Sequence, residues 1–284
     1  MSSAQDIRPS PIAGTWYPGS PDRLRQQVLA RLQAAKLPEL DGELVALVAP
    51  HAGYQYSGNT AAHAFRAVMG NAYDLVVVVS PYHRYPPAPL LTSAHAAYQT
   101  PLGGIPVDRA ALDALDQALE QRGAPGLEPL FQDQEHSLEI ELPFLQCALA
   151  SQFQLLPVML ATHDDILLKH LGEALAEVLA GRLALLVAST DLSHFFPLHV
   201  ARALDNHALQ QMLSLDPKAV LEADRTGAGQ ACGAMAVAAV LWAALALGAD
   251  RAVQLHYSTS ADGGAGEESV VGYGALAILK AGGS

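Results

Sequence analysis

The sequence predicts an α/β fold: a single domain with a central mixed or mostly parallel sheet and helices on both faces. Two observations carry this. Short β-rich apolar runs, "ELVALVAP", "DLVVVVSP", "FQLLPVML" and "LALLVAST", read as strands buried on both faces rather than as alternating surface strands. Between them, "LRQQVLARLQAA", "RAALDALDQALEQR", "DILLKHLGEALAEVLA" and "HVARALDNHALQQML" repeat apolar residues every three and four positions, the period of an amphipathic helix. Strands alternating with helices of this length favour a sheet covered on both sides.

The remaining elements follow in chain order. "YPPAPL" and "RGAPGLEP" are local turns, not linkers. The stretch "ACGAMAVAAVLWAALALGA" is long enough to span a bilayer, which takes about 20 apolar residues. Its alanine content and its setting in an α/β chain predict a buried core helix instead. The end, "RAVQLHYSTSADGGAGEESVVGYGALAIL", reads as two strands joined by a Gly-rich acidic loop, a hairpin or a pair at the sheet edge. With 284 residues and no repeat, one domain over 1–284, with an ordered core from about 8 to 280, is expected.

Charge narrows the partners. The net charge of −12 argues against a nucleic-acid surface, which would cluster Lys and Arg, and points to small molecules or proteins. Cys147 and Cys232 are the only cysteines, and the first residues do not read as a secretion signal, so a reducing cytoplasm is expected. No membrane partner is expected.

Ligands of open α/β sheets sit beyond the carboxyl ends of the strands. Three strands here run into residues that bind metals or move protons. "LVALVAP" leads to His51, "LVVVVSPY" to His83, and "LALLVAST" to Asp191 and His194, while Cys232 is expected in the first turn of the long apolar helix. Imidazole and thiolate suit iron, copper and zinc, so His51, His83 and Cys232 form a candidate metal-ligand set. Each residue also has a plainer reading, a histidine satisfied by the backbone or a small core cysteine.

Cys232 has a further option. The positive end of a helix dipole favours thiolate, which would make it a ligand or a nucleophile. Asp191 and His194, three residues apart, would face one cleft if helical, with the carboxylate orienting the imidazole for proton transfer. Asp191 could equally cap a helix beginning after its strand. Cys147, among apolar residues, reads as packing.

"QEHSLEIELPFL" carries Glu135, His136, Glu139 and Glu141, with Glu135 and Glu139 at helical spacing. Glu135, His136 and Glu139 could orient metal ligands or receive protons, or the run could be the solvated face of an amphipathic helix. His63, His95, His163, His170, His199, His207 and His256 lack comparable placement and read as structural or surface residues. "GAGQACG" does not meet the spacing or the strand context of a nucleotide loop.

Seven motifs in order, "AGTWYPGS", "APHAGYQYSG", "SPYHRY", "EHSLEIELPFL", "STDLSH", "ACG" and "SVVGYGALAI", resemble the Memo family, whose bacterial members are labelled AmmeMemoRadiSam system protein B. The resemblance implies a fold similar to class III extradiol dioxygenases, non-haem iron enzymes with their metal at strand ends. It places a pocket of two histidines and a cysteine on His51, His83 and Cys232, beside Asp191 and His194, with iron or copper as the ion. It also implies a small molecule or peptide as occupant, phosphopeptides included, and a radical SAM protein and an AmmeMemo companion as partners. Trp16, Tyr17, Tyr54 and Tyr56 could line such a pocket.

The resemblance has departures. The dioxygenases use a carboxylate where this sequence offers Cys232, a softer and oxidisable ligand, so ring cleavage does not follow. "SPYHRY" has a single histidine where some relatives have a pair, so only His83 is carried over. Three functions compete: a redox-active metal protein, a metal-free cysteine hydrolase or transferase using Cys232, His194 and Asp191, and a binding module without turnover.

Overall fold

A computed structural model describes residues 7–282. The expected strands form the middle of a nine-stranded mixed sheet. β1 (Ile7–Arg8) belongs to a small separate sheet, and β2 (Glu43–Ala49) and β3 (Leu75–Pro81) are the first strands of the large one. β4 (Leu90–Ser93) and β7 (Glu128–Leu130) close one side of the large sheet, while β5 (Ala97–Thr100) and β6 (Gly103–Pro106) pair in the small one with β1. β8 (Gln154–Leu160), β9 (Ala184–Ser189), β10 (His194–Phe196), β11 (Arg251–Thr259) and β12 (Val270–Lys280) complete the set.

The core of the sheet is parallel, in the order β2-β9-β3-β8. β3, "LVVVVSP", is buried at all seven positions, which its unbroken β-branched run requires of a central strand with helices above and below. β12 runs antiparallel to β2, and β4 antiparallel to β8, so the sheet is mixed. The C-terminal pair is a hairpin of β11 and β12. β12 lies inside the sheet, with β11 along one edge and, along the other, β2 at its end and β10 at its start.

The helices fall into two sets. α1 (Pro21–Ala34), α2 (Gly58–Arg66) and α4 (Leu142–Ala148) pack on one another, with α2 against β2, β11 and β12. α3 (Arg109–Gln121), α5 (Asp165–Leu179), α6 (Leu198–Leu213), α7 (Pro217–Thr226) and α8 (Ala234–Ala246) form the other layer, with α8 lying across β2, β9, β3 and β8. One continuous hydrophobic core joins the layers.

The apolar helix α8 is 13 residues long and buried on nearly every side. No helix among the described residues is long and apolar enough to cross a membrane. Its alanines let α5 approach closely. A Cβ at Gly172 of α5 would lie 2.5 Å from the Trp242 Cβ and 2.7 Å from the Ala239 carbonyl oxygen, so only glycine fits the crossing.

Two local expectations are corrected. No helix follows β9 directly, so Asp191 caps none; residues 191–193 are irregular and His194 opens the short strand β10. Cys232 precedes α8 instead of occupying its first turn, because Gly233 is the N-cap. Gly233 is needed there, since a Cβ would collide with the Ser189 carbonyl at the end of β9.

Candidate metal centre

Because β2, β3 and β9 are parallel neighbours, their carboxyl ends deliver His51, His83 and Asp191 to one edge. The fourth contribution is the segment before α4, residues 131–141. Its expected reading as a solvated helix face is overturned: Glu135, Glu139 and Glu141 are all buried, and only Glu139–Glu141 form a short helical turn. The charges at helical spacing serve internal pairing.

That pairing starts at Arg8, fully buried in β1. Its guanidinium contacts Asp133 at 2.5 Å, the Glu139 carboxylate, and the Glu135 carbonyl oxygen at 2.5 Å, and lies over the Tyr98 ring. Glu139 also accepts the Tyr17 hydroxyl at 2.6 Å. Two buried carboxylates and one cation thus fasten residues 133–139 across more than 120 positions of sequence.

The fastened segment presents Glu135 and His136. Glu135 Oε2 accepts the backbone N–H of His83 at 2.6 Å, and Oε1 accepts its Nδ1–H at 3.0 Å. His136 Nδ1 lies 3.0 Å from the same Oε1. Burial opposes ionisation of Glu135, but the hydrogen bonds of His136 and His83 outweigh it and hold the carboxyl well below its usual range. With Nδ1 of both rings turned to a carboxylate, Nε2 is left as the lone-pair nitrogen on each.

His51 completes the group. It is 2 % exposed, and burial together with the neighbouring His136 and His83 keeps its pKa well below the ordinary value, so the ring is neutral. Its backbone N–H donates to Asp191 at 2.8 Å, and its Nδ1 lies 2.9 Å from Ser189 Oγ. Nitrogen atoms of His51, His83 and His136 all fall within 4.8 Å of one another. Three imidazoles, each with one ring nitrogen tied to an oxygen, are a donor set that fits iron, copper or zinc.

The structure therefore brings His136 into this group, a residue the sequence placed only behind the ligands. Cys232 is not in the group; its sulfur lies 3.1 Å from His51 Nε2. The expected thiolate is corrected too, since burial and the nearby Asp191 push the thiol above its ordinary pKa. Asp191 is itself pushed up to about 7 by burial, against the opposing pull of the His51 and Ala52 backbone N–H groups. Burial lowers the pKa of His194, which shares the cavity with Asp191.

The imidazoles open onto a cavity of about 1020 Å³, lined also by Trp16, Tyr17, Tyr54 and Tyr56. The Trp16 ring sits 4.3 Å from that of His136. His63 and His256 stack at 4.0 Å beside a smaller, separate cavity. Cys147 is partly buried against the core.

Fold and site define a class: a mixed α/β protein whose strand ends gather three imidazoles able to hold a metal ion at the foot of a ligand-sized cavity. The chain belongs to the Memo family, whose model, described as Memo-like protein, matches residues 8–277. It is 32 % identical over 274 residues to a MEMO1 family protein of Methanosarcina barkeri, covering 96 % of this chain and 100 % of the relative. A MEMO1 family protein of Methanopyrus kandleri is 33 % identical over 279 residues, covering 95 % and 98 %. One from Archaeoglobus fulgidus is 33 % identical over 267 residues, covering 93 % and 97 %.

Proposed function

We propose that this protein is a redox-active non-haem metal protein, its iron or copper ion held by His51, His83 and His136, acting on a small molecule in the large cavity. The observation that carries the reading is the common orientation of two ligands by one carboxylate, Glu135, beside a third imidazole fixed by Ser189. Such outer partners raise ligand basicity and fix the tautomer. An iron or copper ion there would supply one-electron and dioxygen chemistry.

The protein's own groups have separate tasks. Trp16 and His136 wall the site, and His194, neutral near pH 7, is placed at the cavity to accept a proton from a bound molecule. Cys232, next to His51 Nε2, stays a thiol and guards the inner side. A fold like that of class III extradiol dioxygenases, which the sequence resemblance implies, is part of the same proposal and names no substrate. A cytoplasmic setting and work beside a radical SAM protein and an AmmeMemo companion belong to the same proposal.

Metal analysis of anaerobically purified protein tests it. One iron or copper per chain is expected, lost in His136→Ala and retained in Cys232→Ala. Absence of either ion at stoichiometric level would overturn the reading. Retention in His136→Ala with loss in Cys232→Ala would replace the third imidazole by the thiol.

A second reading is favoured by one distance. Cys232 Sγ and His51 Nε2, 3.1 Å apart, have the spacing of a nucleophile and its base. This dyad would pair the thiol with His51 rather than with His194. Rapid labelling of Cys232 by a thiol probe at neutral pH in chelated protein would support it; inertness is expected under the metal reading.

A further inference from the structure

One part of the cavity wall is formed by α1. Arg23, Gln27 and Arg31 line it at intervals of four, so their side chains follow one helix face over about 12 Å. The chain has 28 acidic and 16 basic residues apart from histidine. With that excess of acid, a cation near the interior should find a carboxylate. Among the described residues, neither Arg23 nor Arg31 forms an ion pair.

Arg31 is the stronger case. It is half-buried, and its guanidinium is pinned by Tyr54 and Gln27: one NH₂ donates to the Tyr54 carbonyl at 3.2 Å and the other to the Gln27 carbonyl at 3.3 Å. Its Nε is buried with no partner. Burial, uncompensated by any nearby carboxylate, lowers its pKa. A charge held in this way is costly unless an anion joins it.

The exposed part of the cavity lining is aromatic. Trp16, Tyr56 and Phe195 line the cavity while remaining 36, 42 and 74 % exposed. Phe195 is held at φ +66°, a strained conformation for a bulky residue, which keeps its ring at the opening. The one cavity thus combines imidazole nitrogens, two guanidiniums without a carboxylate partner among the described residues, and flat apolar faces.

We propose that Arg31, assisted by Arg23, binds the carboxylate of an aromatic or otherwise planar small-molecule acid, orienting its other end toward His51, His83 and His136. This rests on the reading of the cavity as a substrate site. A monoanion matches the arrangement better than a phosphate dianion, because two of Arg31's five donors are already engaged and the protein is strongly acidic overall.

The test uses the full chain freed of metal by chelation, with benzoate as probe, benzamide as its neutral counterpart and phenyl phosphate as the dianion, each followed by calorimetry or NMR titration. Benzoate should bind, benzamide should not, and phenyl phosphate should bind more weakly. Arg31→Gln should weaken benzoate by at least about tenfold, the loss of a charged hydrogen bond. The exposed Arg23→Gln, which touches no fold contact, should weaken it by about threefold.

Equal affinity for benzoate and benzamide, or no effect of both arginine changes, would overturn the proposal. Preference for phenyl phosphate would overturn the carboxylate assignment. Metal content, measured separately, is unaffected by either arginine change, so failure of this subsite and failure of the metal centre are told apart.

Discussion

His83 and His136 stack with ring centroids 4.8 Å apart, and both turn Nδ1 to the same oxygen of Glu135. One carboxylate therefore sets the tautomer and the angle of two rings that come from different segments of the chain. Glu135 also accepts three backbone N–H groups, those of His83, His136 and Ser137, so it fixes main chain and side chain together.

Glu135→Gln should accordingly loosen both rings at once. The amide keeps the volume but turns donors toward N–H groups. A fall in metal affinity of about 10–100-fold is expected, the usual cost of removing an orienting partner behind a ligand. Competition with a chromophoric chelator measures it. Unchanged affinity would mean that the rings are held by packing alone.

Arg8 offers a test of how the segment itself is held. Arg8→Met leaves the Asp133 and Glu139 carboxylates buried without their cation. Removing one partner of a buried ion pair costs about 3–5 kcal/mol. Urea denaturation should show a loss of that size, and metal affinity should fall with it, because Arg8 and Asp133 bond the backbone on either side of Glu135.

These two clusters also mark where the sequence was legible and where it was not. β2, β3, β8 and β9 announce themselves, since each is a run of buried β-branched or leucine residues, and the parallel order of β2, β9 and β3 puts His51, His83 and Asp191 at one edge. The role of His136 was hidden. Its placement depends on Arg8, more than 120 residues away, and the local spacing of Glu135 and Glu139 imitates a solvated helix. The available signal was a histidine flanked by acids in an otherwise apolar segment.

The same limit applied to Cys232. Proximity to a helix start suggested a dipole-stabilised thiolate, but the sequence does not report how deeply the residue is packed under Asp191. Desolvation then dominates the dipole. The short helix α2 escaped notice because its nine residues give too few turns for the three-and-four spacing to repeat, although it follows the very turn that shapes the cavity mouth.

A pH-dependent prediction concerns Asp108, which caps α3 by accepting the Ala111 N–H at 2.9 Å and pairs with Arg182 at 2.7 Å. Burial pushes its carboxyl up, but Arg182 and the backbone N–H groups outweigh it, and the net shift is downward from 3.8. The folded state thus binds a proton less readily than the unfolded chain. The contribution to stability is present above the unfolded pKa and disappears as pH falls through the folded value. Asp108→Asn keeps a capping oxygen and loses the charge, so it should cost up to about 1 kcal/mol at pH 7, discounted for the partial exposure of Arg182. The gap to the parent protein should close below pH 4 in urea midpoints taken across the range; a gap that widened on acidification would contradict the sign.

Glu141 poses a question of proton count. Ser189 Oγ has one hydrogen and three close neighbours: the Ser137 carbonyl at 2.7 Å, Glu141 Oε1 at 2.7 Å and His51 Nδ1 at 2.9 Å. The carbonyl can only accept, so when it takes the Ser189 hydrogen, Glu141 and His51 must both donate to the serine oxygen. Glu141 is then a neutral carboxylic acid. Its complete burial and the nearby Asp191 raise its pKa well above the usual range, and its second oxygen has no partner, which a buried carboxylate would tolerate badly. His51 in turn carries its proton on Nδ1 and offers Nε2 to the cavity. Glu141→Gln, whose amide also donates, should preserve metal affinity and melting temperature, whereas Glu141→Ala should cost about 1–3 kcal/mol and weaken metal binding. Infrared difference spectra of the parent protein against Glu141→Gln at pH 7 should show the carbonyl band of a protonated acid. A carboxylate band in its place would assign the Ser189 hydrogen to Glu141, with the His51 Nδ1–H still donating to the serine oxygen.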